Sequence, residues 1–67
     1  MLTVTVNATG HQVESGSVLE QLLAQLGMGG GRIAVEINGE IVPRSQFGSY
    51  AIEEGDKIEI VQAIGGG

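Results

Sequence analysis

One short stretch of this chain carries helical periodicity. Leu19, Leu22, Leu23 and Leu26 recur at i, i+3, i+4 and i+7, which places them in a single apolar stripe. A helix of this length, residues 18–26, cannot hold by itself in water, so it needs a sheet to lie on. The sequence supplies strands on both sides of it. Leu2-Thr3-Val4-Thr5-Val6 alternates apolar and polar with period two, the pattern of a strand with one buried face. Asn7-Ala8-Thr9-Gly10 then turns the chain, and His11-Gln12-Val13-Glu14 reads as the returning strand. Beyond the helix, Ile33-Ala34-Val35-Glu36-Ile37 runs into Asn38-Gly39, the strongest two-residue hairpin signal. Glu40-Ile41-Val42 returns, and Pro43 stops it. Tyr50-Ala51-Ile52 is expected as a brief extended piece and residues 57–61 as the last strand.

The helix has terminal signals of its own. Ser17 is placed to cap it, with Glu20 completing a capping box three residues on. Gly27 fits the position just past its end, where a positive φ is needed. Gly29-Gly30-Gly31 is a linker. The resulting order, β-β-α-β-β-β, predicts an α+β fold: a β-grasp roll, with one main helix on one face of a mixed sheet and the first and last strands adjacent. The helix serves as the crossover that such a sheet requires. The expected core is Leu2, Val4, Val6, Leu19, Leu22, Leu23, Leu26, Val35, Ile37, Ile41, Phe47, Ile58 and Ile60.

Composition removes whole classes of function. With 67 residues there is room for one domain only. Without cysteine there is neither a disulfide nor a thiolate metal site, so the apolar core must carry the stability. The net charge of −5 opposes nucleic-acid binding. The start, Met1-Leu2-Thr3-Val4, lacks a signal-peptide pattern, and no apolar run approaches the roughly 20 residues of a membrane span. The expected location is the cytoplasm. Charge is uneven: residues 1–33 carry −1 and residues 34–67 carry −4. The acidic half, Glu53 and Glu54 in particular, is a candidate surface for steering a basic partner.

Chemistry-bearing motifs are few. Gly29, Gly31 and Ala34 match a dinucleotide fingerprint in spacing, but they precede a strand rather than open a helix. Asn7-Ala8-Thr9 is a glycosylation sequon that reads as a turn. His11 stands alone and reads as a strand-surface residue. Glu53, Glu54 and Asp56 straddle a turn without ligand-loop spacing. No nucleophile, base and orienting group can be assembled, so the chain is not expected to be an enzyme in its own right.

The C-terminus is different. Gly65-Gly66-Gly67 cannot be there for stability, because glycine loses the most entropy on ordering. Residues 1–63 form the expected domain and residues 64–67 a flexible tail. Four residues reach at most about 13 Å, enough to carry a carboxylate into a partner's active site. The glycines lack the Cβ atoms that would obstruct a narrow cleft. A terminal carboxylate is ionised and unreactive at neutral pH, so a partner must activate it, most directly as an anhydride with AMP. Val61 and Ile64 flank the tail as candidate apolar contacts.

Three segments carry a family resemblance over the whole chain: Asn38-Gly39-Glu40-Ile41-Val42-Pro43-Arg44, Gly55-Asp56-Lys57-Ile58-Glu59-Ile60-Val61 and Ala63-Ile64-Gly65-Gly66-Gly67. With these, the sequence resembles the ThiS family of ubiquitin-like sulfur carriers. The resemblance implies that an E1-like, ATP-using enzyme (ThiF-like) adenylates Gly67. Sulfur from a donor such as a cysteine desulfurase would then leave a thiocarboxylate, and a thiazole synthase (ThiG-like) would take that sulfur in thiamine biosynthesis. Gly65 and Gly66 would give the tail its unhindered approach. The carrier itself would hold no cofactor, the ATP belonging to the partner. Family members often have Trp near Phe47, whose packing role Phe keeps. Three alternatives share the tail: a molybdopterin-synthase-type carrier subunit, a ubiquitin-like modifier of lysines, and an interaction domain whose tail is inert.

Overall fold

The computed structural model describes residues 1–28 and 32–62. Residues 29–31 and 63–67, among them the expected linker and the expected tail 64–67, lie outside them. Five strands alternate inward and outward side chains: β1 (Leu2–Val6), β2 (Thr9–Val13), β3 (Ile33–Ile37), β4 (Glu40–Val42) and β5 (Lys57–Gln62). They form one mixed sheet in the order β2-β1-β5-β3-β4. β1 and β5 run parallel at the centre, with Thr5 beside Lys57 and Val6 beside Ile58. Each other neighbouring pair is antiparallel. Helix α1 (Leu19–Gln25) carries the chain from β2 across the central pair to β3. This is the expected β-grasp roll.

α1 begins one residue later than its sequence signals imply. Val18 is extended, with φ −104° and ψ 163°, because it bridges Ala51. The helix therefore starts at Leu19, and Ser17 is not its cap. The backbone of Ser17 is committed to Glu14 and Ile52. Gln21, not Glu20, closes the turn: its Oε1 accepts the Val18 N–H at 2.9 Å. The Leu19 and Glu20 N–H groups donate to the Tyr50 and Phe47 carbonyls at 2.8 and 2.9 Å. The orphan donors of the helix start are thus met by a loop distant in sequence. At the other end Gly27 takes the expected positive φ, 74°; Met28 N–H donates to Leu23 O at 2.8 Å and Gly27 N–H to Ala24 O at 3.1 Å, a Schellman cap.

The core joins Leu19, Leu22 and Leu23 of α1 to Val4, Val6, Val13, Val35, Ile37, Val42, Ile58 and Ile60 of the sheet, with Phe47 and Ile52 from the loops. Leu2 and Leu26 pack at its margin. Ile41 does not belong to it and is 68% exposed. Glu40-Ile41-Val42 has two adjacent apolar residues, and only one can face inward. The two-residue turn pairs Ile37 with Glu40, hence Val35 with Val42 and Glu36 with Ile41, so Val42 is the core residue. The brief extended piece expected at Tyr50-Ala51-Ile52 amounts to an isolated bridge. Ala51 makes a single bridge to Val18, and Ile52 is buried. The 3₁₀ turn at Arg44–Gln46 follows Pro43 and delivers Phe47 to the core.

Both hairpin turns bring an asparagine to β5. Asn7 and Ala8 have φ of 50° and 70°, and Asn38 and Gly39 have 54° and 86°, the left-handed pair that a tight hairpin requires. Asn7 stands where β1 leaves the parallel ladder. Its Oδ1 accepts the Ile60 N–H at 2.8 Å, and its Nδ2 donates to the Ile60 carbonyl at 3.2 Å. Asn38 accepts the Lys57 N–H on Oδ1 at 2.9 Å and donates from Nδ2 to Asp56 Oδ1 at 3.0 Å.

Candidate functional site

Gly65, Gly66 and Gly67, together with Ile64, lie outside the described residues. The described part of the site is the end of β5 from which they continue. On the β1 side the parallel ladder ends at Val6 and Ile58. Val61 and Gln62 are paired with Ala34 and Ile33 of β3. β5 therefore projects past β1, held by β3 on one flank.

Around this end the outer sheet face is apolar. Val61 is 66% exposed, and Ala34 beside it is exposed as well. Val61 is thus not a core residue. Nor is it at a sheet edge, because β5 lies between β1 and β3. An open recess of about 390 Å³ is lined by Arg32, Ile33, Ala34, Arg44 and Val61. Two of the three basic residues of a chain with net charge −5 therefore flank the base of the tail. The next row of the same face sets Glu36 opposite both Glu59 and Ile41. Carboxylates directly opposite each other are unfavourable for the sheet.

The acidic residues singled out from the sequence sit at the other end of β5. From Lys57 to Gln62 the strand spans about 17 Å at ~3.3 Å per residue, so Glu53 and Glu54 do not share a patch with Val61. They also belong to the turn itself. Asp56 is buried, and its Oδ2 accepts the Glu53 N–H at 2.9 Å while its Oδ1 accepts Asn38. Glu54 Oε1 accepts the Thr3 N–H at 3.0 Å. Among the described residues no group of three His, Asp or Glu side chains could hold a metal ion. Burial, then the charges of Asp56, Glu53 and Glu40, raises the pKa of the Tyr50 phenol above its ordinary 10.0. His11 lies on edge strand β2 opposite Val4 and is half-buried.

Asn7 is the residue that sequence reasoning missed, having read it as a turn residue alone. The available signal was its neighbour: a turn of Asn followed by Ala, with no glycine at its centre, demands a reason for that asparagine.

Comparison with known proteins places this geometry. The family model described as the ThiS family matches residues 4–67. The sulfur carrier protein ThiS of Escherichia coli is 33% identical over 66 residues, spanning 98% of this chain and 100% of that protein. A thiazole synthase of Paramagnetospirillum magneticum is 39% identical over 66 residues. There the chain covers only 20% of the relative's length, as it does in the thiazole synthase of Magnetococcus marinus. The crystal structure of the thiamine biosynthesis protein ThiS from Geobacter metallireducens superposes with a TM-score of 0.83 at 29% identity, over 98% of this chain and 100% of that one.

Proposed function

The chain belongs to the ThiS family, and from that premise we propose that it is a cytoplasmic sulfur carrier of thiamine biosynthesis, with Gly67 as its reactive residue. The observation that carries this reading is the family match running through the terminal glycines, on a body whose last strand projects past its neighbour toward them. The chain acts as a protein co-substrate rather than as a catalyst. An E1-like partner joins the Gly67 carboxylate to the α-phosphate of ATP, releasing pyrophosphate. A persulfide sulfur from a donor such as a cysteine desulfurase attacks the acyl carbon and AMP leaves. A thiol then reduces the acyl disulfide to the thiocarboxylate. Gly65 and Gly66 admit the tail to the partner's cleft.

The acceptor is a thiazole synthase. Two proteins of that name carry a matching stretch within a longer chain, which supports this pairing over the molybdopterin-type and modifier alternatives. Docking uses the outer face at Val61, Ala34 and Ile41, and Ile64 is a further apolar contact. Arg32 and Arg44 set its charge. Glu53 and Glu54 contribute long-range steering only.

Intact mass tests the reading. The protein is incubated with ATP, the E1-like enzyme, a cysteine desulfurase, cysteine and a thiol. The expected result is replacement of one oxygen by sulfur at Gly67. An unmodified mass, with the enzyme proven active on another carrier, would overturn it. An AMP adduct that never exchanges for sulfur would move the assignment to a modifier.

A further inference from the structure

The strand that leads to the tail is held unequally, and one side chain makes up the difference. β1 pairs with β5 only as far as Val6 and Ile58, with the Asn7 N–H donating to the Ile58 carbonyl at 2.9 Å. A parallel ladder would next present the Asn7 carbonyl to the Ile60 N–H, but there the chain turns away into the first hairpin. The Asn7 side-chain amide takes over that rung, accepting from Ile60 N–H at 2.8 Å and donating to Ile60 O at 3.2 Å. Past Ile60, the described pairing of Val61 and Gln62 is with β3.

We infer that Asn7 is a positioning residue for tail activation. Its amide fixes the direction in which β5 leaves the body, through both polar groups of Ile60. The inference rests on the carrier reading and extends it to a residue 60 positions from the tail's end in sequence. Without the rung, residues 60–62 have a one-sided ladder and can swing about β3, so fewer docked molecules present the tail in register with the partner's cleft. Asn7 touches neither ATP nor the acyl carbon in this scheme.

Asn7→Gly removes the amide and leaves the hairpin intact, because glycine accepts the positive φ of this position at no cost. The expected result has two parts. Hydrogen exchange at the Ile60 amide accelerates about tenfold, while protection across β1–β2 is retained. The kcat for adenylation, followed by pyrophosphate release, falls about tenfold with KM changed less than about twofold. Asn7→Asp, which keeps the acceptor for Ile60 N–H, recovers part of both losses. If Ile60 loses protection and kcat stays at the wild-type value, Asn7 serves the sheet alone and the inference is wrong. Unchanged Ile60 protection would also overturn it. Failure of the wild-type protein to be adenylated would overturn the carrier reading instead, and the exchange arm would show that the loss did not come from Asn7.

Discussion

The two ends of β5 use the same device in different settings. Each receives an asparagine from a two-residue turn, and each asparagine satisfies a β5 backbone N–H. At the start of the strand Asn38 also binds Asp56, a buried carboxylate that in turn holds the Glu53 N–H, and Thr3 reaches across to Glu54. Every one of these partners lies within the domain, so that end is closed on itself. At the far end the Asn7 side chain binds the backbone of Ile60, and the neighbouring surface is Val61, Ala34 and two arginines. Acidic composition drew attention to the first end, whereas geometry gives the second the exposed apolar surface and the link to the tail. Charge is spent on structure where it is densest.

The sharpest way to break this contrast is Asp56→Ala. It leaves the Asn38 amide and the Glu53 N–H without their buried acceptor and is expected to cost about 3 kcal/mol in chemical denaturation. Sulfur loading per folded molecule should stay at the wild-type level. A loss below about 1 kcal/mol would mean that the closed end is not built around this carboxylate. Next in size is Val61→Ser combined with Ile41→Ser. Both residues are exposed, so stability should move by no more than about 0.5 kcal/mol, while the KM for the E1-like enzyme rises about tenfold. An unchanged KM would remove the outer face from docking.

Asn38→Gly sharpens the comparison of the two asparagines. It should cost about 1 kcal/mol of stability and leave the adenylation kcat alone, unlike its counterpart at Asn7. The smallest effect belongs to Glu53→Lys. Association should slow less than about threefold at low salt and not measurably at high salt. A phenolate absorbance titration should then find the Tyr50 pKa lowered toward 10.0, since Glu53 is one of the charges that raises it. A titration identical to wild type would separate that carboxylate from the ring. In the wild type the raised value favours the folded state below pH 10.0, and the contribution fades as pH climbs through the folded-state value.

Most of the fold was legible because it follows local periodicity. The four helical leucines, the alternation in β1 and β3 and the Asn38-Gly39 turn each announce their element, and the central pairing of the first and last strands follows from topology. Ile41 was legible too, since a two-residue turn fixes which of Ile41 and Val42 faces Val35; reading β4 alone hid it. What could not be read locally depends on contacts between distant segments. Val18 is pulled out of the helix by Ala51, which leaves Ser17 one residue too early to cap it. The contribution of Ile52 to the core comes through a loop. The Asn7 rung spans 53 residues, and no pattern in the first turn names its partner. The terminal glycines were legible as a family motif, and the family match runs through them.

The row that sets Glu36 against Glu59 and Ile41 has a consequence for crowded solutions. An uncovered sheet face bearing Ile41, Ala34 and Val61 would ordinarily invite a second copy to stack upon it. Two such faces stacked in register would set Glu36 and Glu59 of one copy against the same pair of the other, a cost to self-stacking that a partner without carboxylates there does not meet. A row that is unfavourable within the sheet is thus unfavourable to self-stacking as well.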